Sequence, residues 1–248
     1  MKNSVIKIDN LKISFGSLDV LKGITLELFE GENLVILGKS GTGKSVLIKC
    51  IVRLLDANEG TINVHSQEIN NLKSKELDNV REKIGFLFQS GALYDSMTVR
   101  QNLAFPLKRI KKELTAEQIE AKIIETLENV GLTDVIDKMP SELSGGMRKR
   151  ISLARTIIID PSIMLYDEPT TGLDPVTSDE ISLLINDIQK EYKTSSIIIT
   201  HDIECARAVA NRIVMLNEGK IYKEGTLADF EISTDYLVQS FFKNKKYN

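Results

Sequence analysis

The apolar run Leu34-Val35-Ile36-Leu37 leads directly into Gly38-Lys39-Ser40-Gly41-Thr42-Gly43-Lys44-Ser45, and no other junction restricts the fold as strongly. The octet fits the pattern G-x-x-x-x-G-K-[ST], which requires a buried strand before it and a helix after it. A continuous apolar run is what a parallel strand covered on both faces needs. The helix should open near Gly43 and carry Val46, Leu47, Cys50, Ile51 and Leu54 on one side. Glycines in such a loop let backbone N–H groups converge on phosphate oxygens, and the helix N-terminus adds a favourable dipole. Lys44 is then placed for the β- and γ-phosphates of a nucleotide, and the Ser45 hydroxyl for Mg²⁺.

A second apolar run, Ile163-Met164-Leu165-Tyr166, ends in Asp167-Glu168. Asp167 at the end of a buried strand can hold a magnesium ion directly or through water. Glu168 beyond it is the candidate to orient or deprotonate an attacking water. The plainer reading is an acidic pair that caps the turn at Pro169-Thr170. Between the two motifs, Leu143-Ser144-Gly145-Gly146-Met147 opens a helix through Ile151, Leu153, Ala154 and Ile157. Two glycines at a helix start offer a second anion site. One nucleotide does not need two such sites from one chain, so a head-to-tail homodimer is implied; Ser-Gly-Gly is also an ordinary N-cap.

The remaining pattern fits an α/β fold. Residues 84–88, 196–199 and 213–216 read as buried strands, and Asn217-Glu218-Gly219 as a hairpin turn into Ile221-Tyr222. Residues 5–15 and 24–29 alternate, as half-buried antiparallel strands do. From 98 to about 159 the periods are helical, with Thr115-Ala116-Glu117-Gln118 as a capping box before Ile119, Ile123, Ile124, Leu127 and Val130, and Gly131 as a C-cap. This implies a core of 1–89 and 160–230, a helical lobe at 90–159 and a tail at 231–248.

Composition excludes more than it assigns. A net charge of −3 argues against a duplex nucleic-acid partner. No apolar run approaches the roughly 20 residues that span a bilayer, and the N-terminus carries no leader pattern. Cys50, Cys205, His65 and His201 form no zinc spacing; the two thiols read as core residues in a reducing, cytoplasmic setting. The basic clusters at Lys108-Arg109-Ile110-Lys111-Lys112 and Lys243-Asn244-Lys245-Lys246 read as solvated faces, with membrane headgroups as the alternative.

With these motifs in order, the chain resembles the nucleotide-binding subunits of ABC transporters over residues 3 to 230. The resemblance implies a P-loop NTPase core with a mixed, largely parallel sheet, an antiparallel β subdomain and an inserted helical lobe. It places Phe15 on adenine, Gly38, Lys39, Ser40, Gly41, Thr42, Gly43, Lys44, Ser45 and Val46 around the phosphates, and Ser45, Gln89 and Asp167 on Mg²⁺. Glu168, His201, Gln89 and Lys44 become the catalytic set, and Ser144, Gly145, Gly146 and Asp174 serve the nucleotide of a partner copy. Asp174 before Pro175 also has the form of an N-cap. Met147 replaces the family's usual glutamine and Gly172 a frequent alanine, and neither touches the expected phosphate or water contacts, so an active ATPase is expected.

Phe88-Gln89-Ser90-Gly91-Ala92-Leu93-Tyr94-Asp95-Ser96-Met97-Thr98-Val99, continuing through Asn102-Leu103-Ala104-Phe105-Pro106-Leu107, and Met139-Pro140-Ser141-Glu142 resemble the ATPases of Mla-type lipid transport. That resemblance implies a membrane permease, an MCE-domain partner, phospholipid cargo and a place on the cytoplasmic face of the inner membrane. Residues 90–99 are suited to a groove for a permease helix, or to a simple inter-lobe linker. Small-solute importers, such as those for amino acids, and non-transport ABC ATPases share the core motifs. The tail offers Tyr236-Leu237 and Phe241-Phe242, as a docking helix or a terminal helix packed on the core.

Overall fold

The computed structural model describes residues 3–242, so the Lys243-Asn244-Lys245-Lys246 cluster lies outside the described residues. In chain order come strands β1 (Ser4–Phe15), β2 (Leu18–Phe29) and β3 (Asn33–Leu37), helix α1 (Lys44–Ile51), strands β4 (Glu59–Val64) and β5 (Gln67–Glu68), helix α2 (Ser74–Arg81) and strand β6 (Ile84–Leu87). Helices α3 (Val99–Ile110), α4 (Ala116–Asn129) and α5 (Gly145–Ile157) follow, then β7 (Ile163–Asp167) and α6 (Pro175–Tyr192). The chain continues through β8 (Ser195–Thr200), α7 (Ile203–Val209), β9 (Arg212–Asn217), β10 (Lys220–Gly225), α8 (Leu227–Glu231) and α9 (Tyr236–Phe242). Two compact units result, one from residues up to Asn71 and from Ser195 onward, the other Leu72–Thr194. No helix among the described residues is long and apolar enough to cross a membrane.

In the first unit β3 is flanked by parallel partners, with Val35 opposite Ile198 of β8 and Ile213 of β9. Covering on both faces explains why every residue of β3 is buried. Glu218 and Gly219 both take positive φ, the requirement of a type I′ turn, and so connect β9 to β10. The antiparallel sheet runs β2-β1-β4-β5. Its β2 begins at Leu18, earlier than alternation indicates, because exposed residues and register shifts near Leu18 and Asp19 blur the period. Helix α1 buries Leu47, Ile48, Cys50 and Ile51 but ends before Leu54, which is 54% exposed rather than on the apolar face. Cys50 and Cys205 are both buried on helices. Helix α9 packs through Val238 and through Phe242 against Phe230 of α8, with ring centroids 5.7 Å apart.

In the second unit β6 and β7 run parallel, Gly85 opposite Met164. Side-chain oxygens hold the helix starts. Thr98 caps α3 by accepting from Gln101 N, and Thr115 caps α4 by accepting from Gln118 N, while the Gln118 side chain accepts from Thr115 N at 2.8 Å. Gly131 follows α4 with φ 68°, the left-handed C-terminal geometry that glycine adopts without strain. Ile119, Ile123 and Leu127 are buried, whereas Ile124 turns outward because the helical period carries it past the apolar face.

Asn102 organises the segment that enters α3. Its fully buried amide donates to Tyr94 O, Met97 O and Thr98 O at 3.0–3.1 Å and accepts from Tyr94 N at 2.9 Å. Removing it strands several buried backbone groups at once. Asn102→Ala should therefore destabilise the protein by roughly 2–4 kcal/mol, measured by urea unfolding. An unchanged midpoint would show that water replaces those bonds at no cost.

Candidate functional site

The phosphate loop is closed by its own packing. A Cβ on Gly38 would sit 2.7 Å from the Leu216 carbonyl oxygen and from Thr42 Oγ1, and one on Gly43 2.7 Å from Leu21 Cδ2. Gly41 and Gly43 take φ of 81° and 99°, where L side chains are strained. Lys44 opens α1 with only 6% exposure, and its ammonium donates to Gly38 O at 2.7 Å and Lys39 O at 3.2 Å. Thr42 Oγ1 donates to Lys39 O at 2.9 Å. Lys39, Ser40 and Gly41 are exposed, Ser45 and Val46 half-buried in the first turn of α1, and that turn holds no acid. A buried cation, flexible glycines and a helix start without an acidic residue fit a polyphosphate.

The same unit carries Phe15 and His201. Phe15 is exposed at the end of β1, opposite Leu18 at the start of β2, and Gly43 packs against Val20 and Leu21 of β2. The loop and the aromatic are thus linked through one strand. His201 is exposed directly after β8, and Asp202 beside it caps α7 by accepting from Glu204 N at 3.0 Å.

In the second unit β7 is buried throughout and ends at Asp167, 5% exposed, with Glu168 following at 8%. Glu168 takes φ 51°, an uncommon conformation for a residue with a side chain and one that clusters at functional sites. Thr171 Oγ1 donates to Glu168 Oε2 at 3.1 Å. Glu168 thus also braces the turn at Pro169-Thr170, with Thr171 N donating to its carbonyl at 3.3 Å, while the helix that follows is capped by Asp174. Asp174 accepts from Thr177 N at 3.1 Å and Thr177 Oγ1 at 2.6 Å, bonds that hold its exposed carboxyl below the usual range, and Pro175 opens α6.

Ser144 caps α5 by accepting from Met147 N at 3.2 Å. A Cβ on Gly146 would fall 2.6 Å from Thr177 Cγ2, so Gly145 and Gly146, the signature glycines that open α5, lie beside the start of α6. Gln89 is exposed after β6, and its carbonyl accepts from Lys149 Nζ of α5 at 2.8 Å. Burial lowers the Lys149 pKa, against the opposing pull of the Asp167 and Glu168 carboxylates. Sequence reasoning missed Lys149. Its spacing from Leu153 and Ile157 places it on the inward face of α5, which was the available signal. Arg155 further along α5 donates to Ala92 O and stands 4.5 Å over the Tyr94 ring.

The loop, Phe15 and His201 therefore belong to one unit, and Gln89, Ser144, Gly145, Gly146, Asp167, Glu168 and Asp174 to the other. The model of the ABC transporter family matches residues 21–171. The chain is 39% identical over 241 residues to the probable ribonucleotide transport ATP-binding protein mkl of Mycobacterium leprae, covering 97% of this chain and 69% of mkl. It is 38% identical over 245 residues to protein trigalactosyldiacylglycerol 3, chloroplastic, of Arabidopsis thaliana, covering 92% and 70%. The dimeric post-hydrolysis structure of the ATP-binding cassette MJ0796 bound to ADP and Pi superposes with a TM-score of 0.82 at 31% identity, over 90% of this chain and 98% of that one. With a strand, loop and helix shaped for polyphosphate and a buried acidic strand end, this chain belongs to the ABC transporter family, as an ATP-binding subunit that hydrolyses ATP.

Proposed function

We propose that two copies of this subunit form a head-to-tail dimer and that each nucleotide is hydrolysed between the loop of one copy and the signature helix of the other. The observation that carries the chemistry is the buried Asp167-Glu168 pair, with Glu168 held at φ 51° beyond the last residue of β7. Glu168 takes the proton from the attacking water at its carboxylate. Lys44 exchanges the Gly38 and Lys39 carbonyls for β- and γ-phosphate oxygens, and the loop from Gly38 to Val46 cradles the chain of phosphates. Phe15 stacks on adenine, and His201 contacts the γ-phosphate. Ser144, Gly145, Gly146 and Asp174 act on the nucleotide of the partner copy. Ser45, Gln89 and Asp167 would hold Mg²⁺, which would supply positive charge to neutralise the transferring phosphoryl group.

The energy is spent on a membrane permease. A cavity of about 580 Å³ on the helical lobe is lined by Met97, Ala104, Phe105, Ile119 and Ile123, with Arg100 among its polar residues. It begins at Ser96 and Met97, inside the stretch expected to receive a permease helix, and its apolar lining suits the buried side of an amphipathic helix. The cargo on this reading is phospholipid moved across a bacterial envelope with an MCE-domain partner, the ATPase lying peripherally on the cytoplasmic face of the inner membrane. The resemblance of residues 88–107 and 139–142 to Mla-type ATPases supports it, as does the lipid in the name of the Arabidopsis relative. The name of mkl favours the second reading, a transporter of small solutes.

Glu168→Gln should keep ATP binding, slow hydrolysis by about 10²–10⁴-fold and accumulate a dimer in ATP, seen by light scattering. Unchanged turnover would sink the assignment of the base. Gly38→Ala should weaken ATP binding about tenfold, a loss of about 1.4 kcal/mol, because the new methyl meets backbone at Leu216. Equal affinity in a nucleotide titration would show that the loop gives way without cost. Purification of the complex from native membranes should bring down a permease, an MCE protein and phospholipid, identified by mass spectrometry. Recovery with a solute-binding protein and no lipid would favour the small-solute reading.

A further inference from the structure

We propose that Lys149 is a positioning residue for hydrolysis, a buried cation in the second turn of the signature helix that tethers the main chain of Gln89. Lysines are almost never buried without compensation, yet this one is 6% exposed. The hydrogen bond it makes to Gln89 O, at 2.8 Å, is to a neutral carbonyl and does not by itself offset desolvation of an ammonium. The carboxylates of Asp167 and Glu168 pull the other way electrostatically and offset part of that cost, burial remaining the larger effect. Packing alone would favour an apolar residue here, since Lys149 shares the face of α5 that buries Leu153 and Ile157. What an apolar residue cannot do is hold a strand end, a loop and a helix start in one charge-linked arrangement.

The rest of the loop does not depend on Lys149. Arg155 binds Ala92 O and covers Tyr94, and Asn102 fixes both backbone groups of Tyr94. Loss of the ammonium frees the Gln89 end while the far end stays anchored. Gln89 and the acidic pair would then lose their fixed relation, and alignment of the attacking water would suffer before nucleotide binding did. This rests on the proposed roles of Gln89 and Glu168. Lys149 acts through them and touches no substrate.

Three substitutions separate its two contributions. Lys149→Arg keeps the charge, Lys149→Gln keeps a donor for Gln89 O without charge, and Lys149→Met keeps only the shape. Steady-state hydrolysis of Mg·ATP should rank Arg above Gln above Met, with kcat down about 10- to 100-fold in the Met variant and KM within about threefold. Hydrogen–deuterium exchange over residues 88–92 should be faster in the Met variant than in the Gln variant, a readout independent of turnover. Wild-type kcat in Lys149→Met overturns the proposal, as does a loss carried by KM, or a decline in all three that tracks thermal stability alone. If the Met variant does not fold, a kcat for Gln at or above that for Arg overturns it. The outcome for Glu168→Gln stands apart: unchanged hydrolysis there refutes the catalytic base itself, while the Lys149 series tests only how that base is held.

Discussion

Lys44, Lys149, Asp167 and Glu168 are each between 5% and 8% exposed, and the surrounding elements are arranged to make those buried charges tolerable. An unpaired charge in a protein interior is expensive, so each must find carbonyls, opposite charge or ligand. In the first unit the loop folds its own carbonyls around Lys44, which is possible only because Gly38 and Gly43 leave no Cβ in the way. In the second, a cation of α5 lies in the field of two carboxylates at the end of β7. The half-buried Arg212 is satisfied differently. Arg212 meets Glu32 through one edge of its guanidinium, donating from Nε at 2.8 Å and from Nη2 at 2.9 Å, and also meets Glu224 and the Phe29 ring. Arg212 also donates to Glu27 O at 2.6 Å, so this cation is held by groups of its own unit.

Helix α5 ties the second unit together. Its first turn carries the signature glycines against Thr177, its second reaches Gln89 through Lys149, and its third grips Ala92 and Tyr94 through Arg155. A displacement of the loop after β6 cannot occur without strain on that helix, and a displacement of the helix start bears on the turn that Asp174 caps. Interiors packed in this way shift between discrete arrangements rather than deforming smoothly. Such a body is suited to carry a displacement of the loop after β6 to the segment at 96–97 that borders the apolar groove on the lobe.

Much of this was readable in the chain because the patterns are local. The runs at 34–37 and 163–166 are apolar since both faces of those strands are covered, and the capping box at Thr115 is spelled out over four residues. Strands β4 and β5 and helix α2 escaped notice, because β5 is two residues long and α2 buries only Leu77 and Val80. The early start of β2 and the outward turns of Leu54 and Ile124 followed from bulges, a short helix and a drifting period that composition does not reveal. Lys149 was passed over for a physical reason: a lysine is expected at the surface, and that expectation outweighed its spacing on the apolar face of α5.

The sequence by itself determined which residue types could meet phosphate, magnesium and water, since those depend on spacing along a strand, a turn and the first turn of a helix. Tertiary structure decided what lies next to them. It set the backbone of Glu168 at φ 51° with Thr171 on its carboxylate. It also brought Lys149, 60 residues away in sequence, onto Gln89. Side chains so far apart in sequence are brought together by the burial of apolar faces, whose registry is settled only when the helices and strands pack.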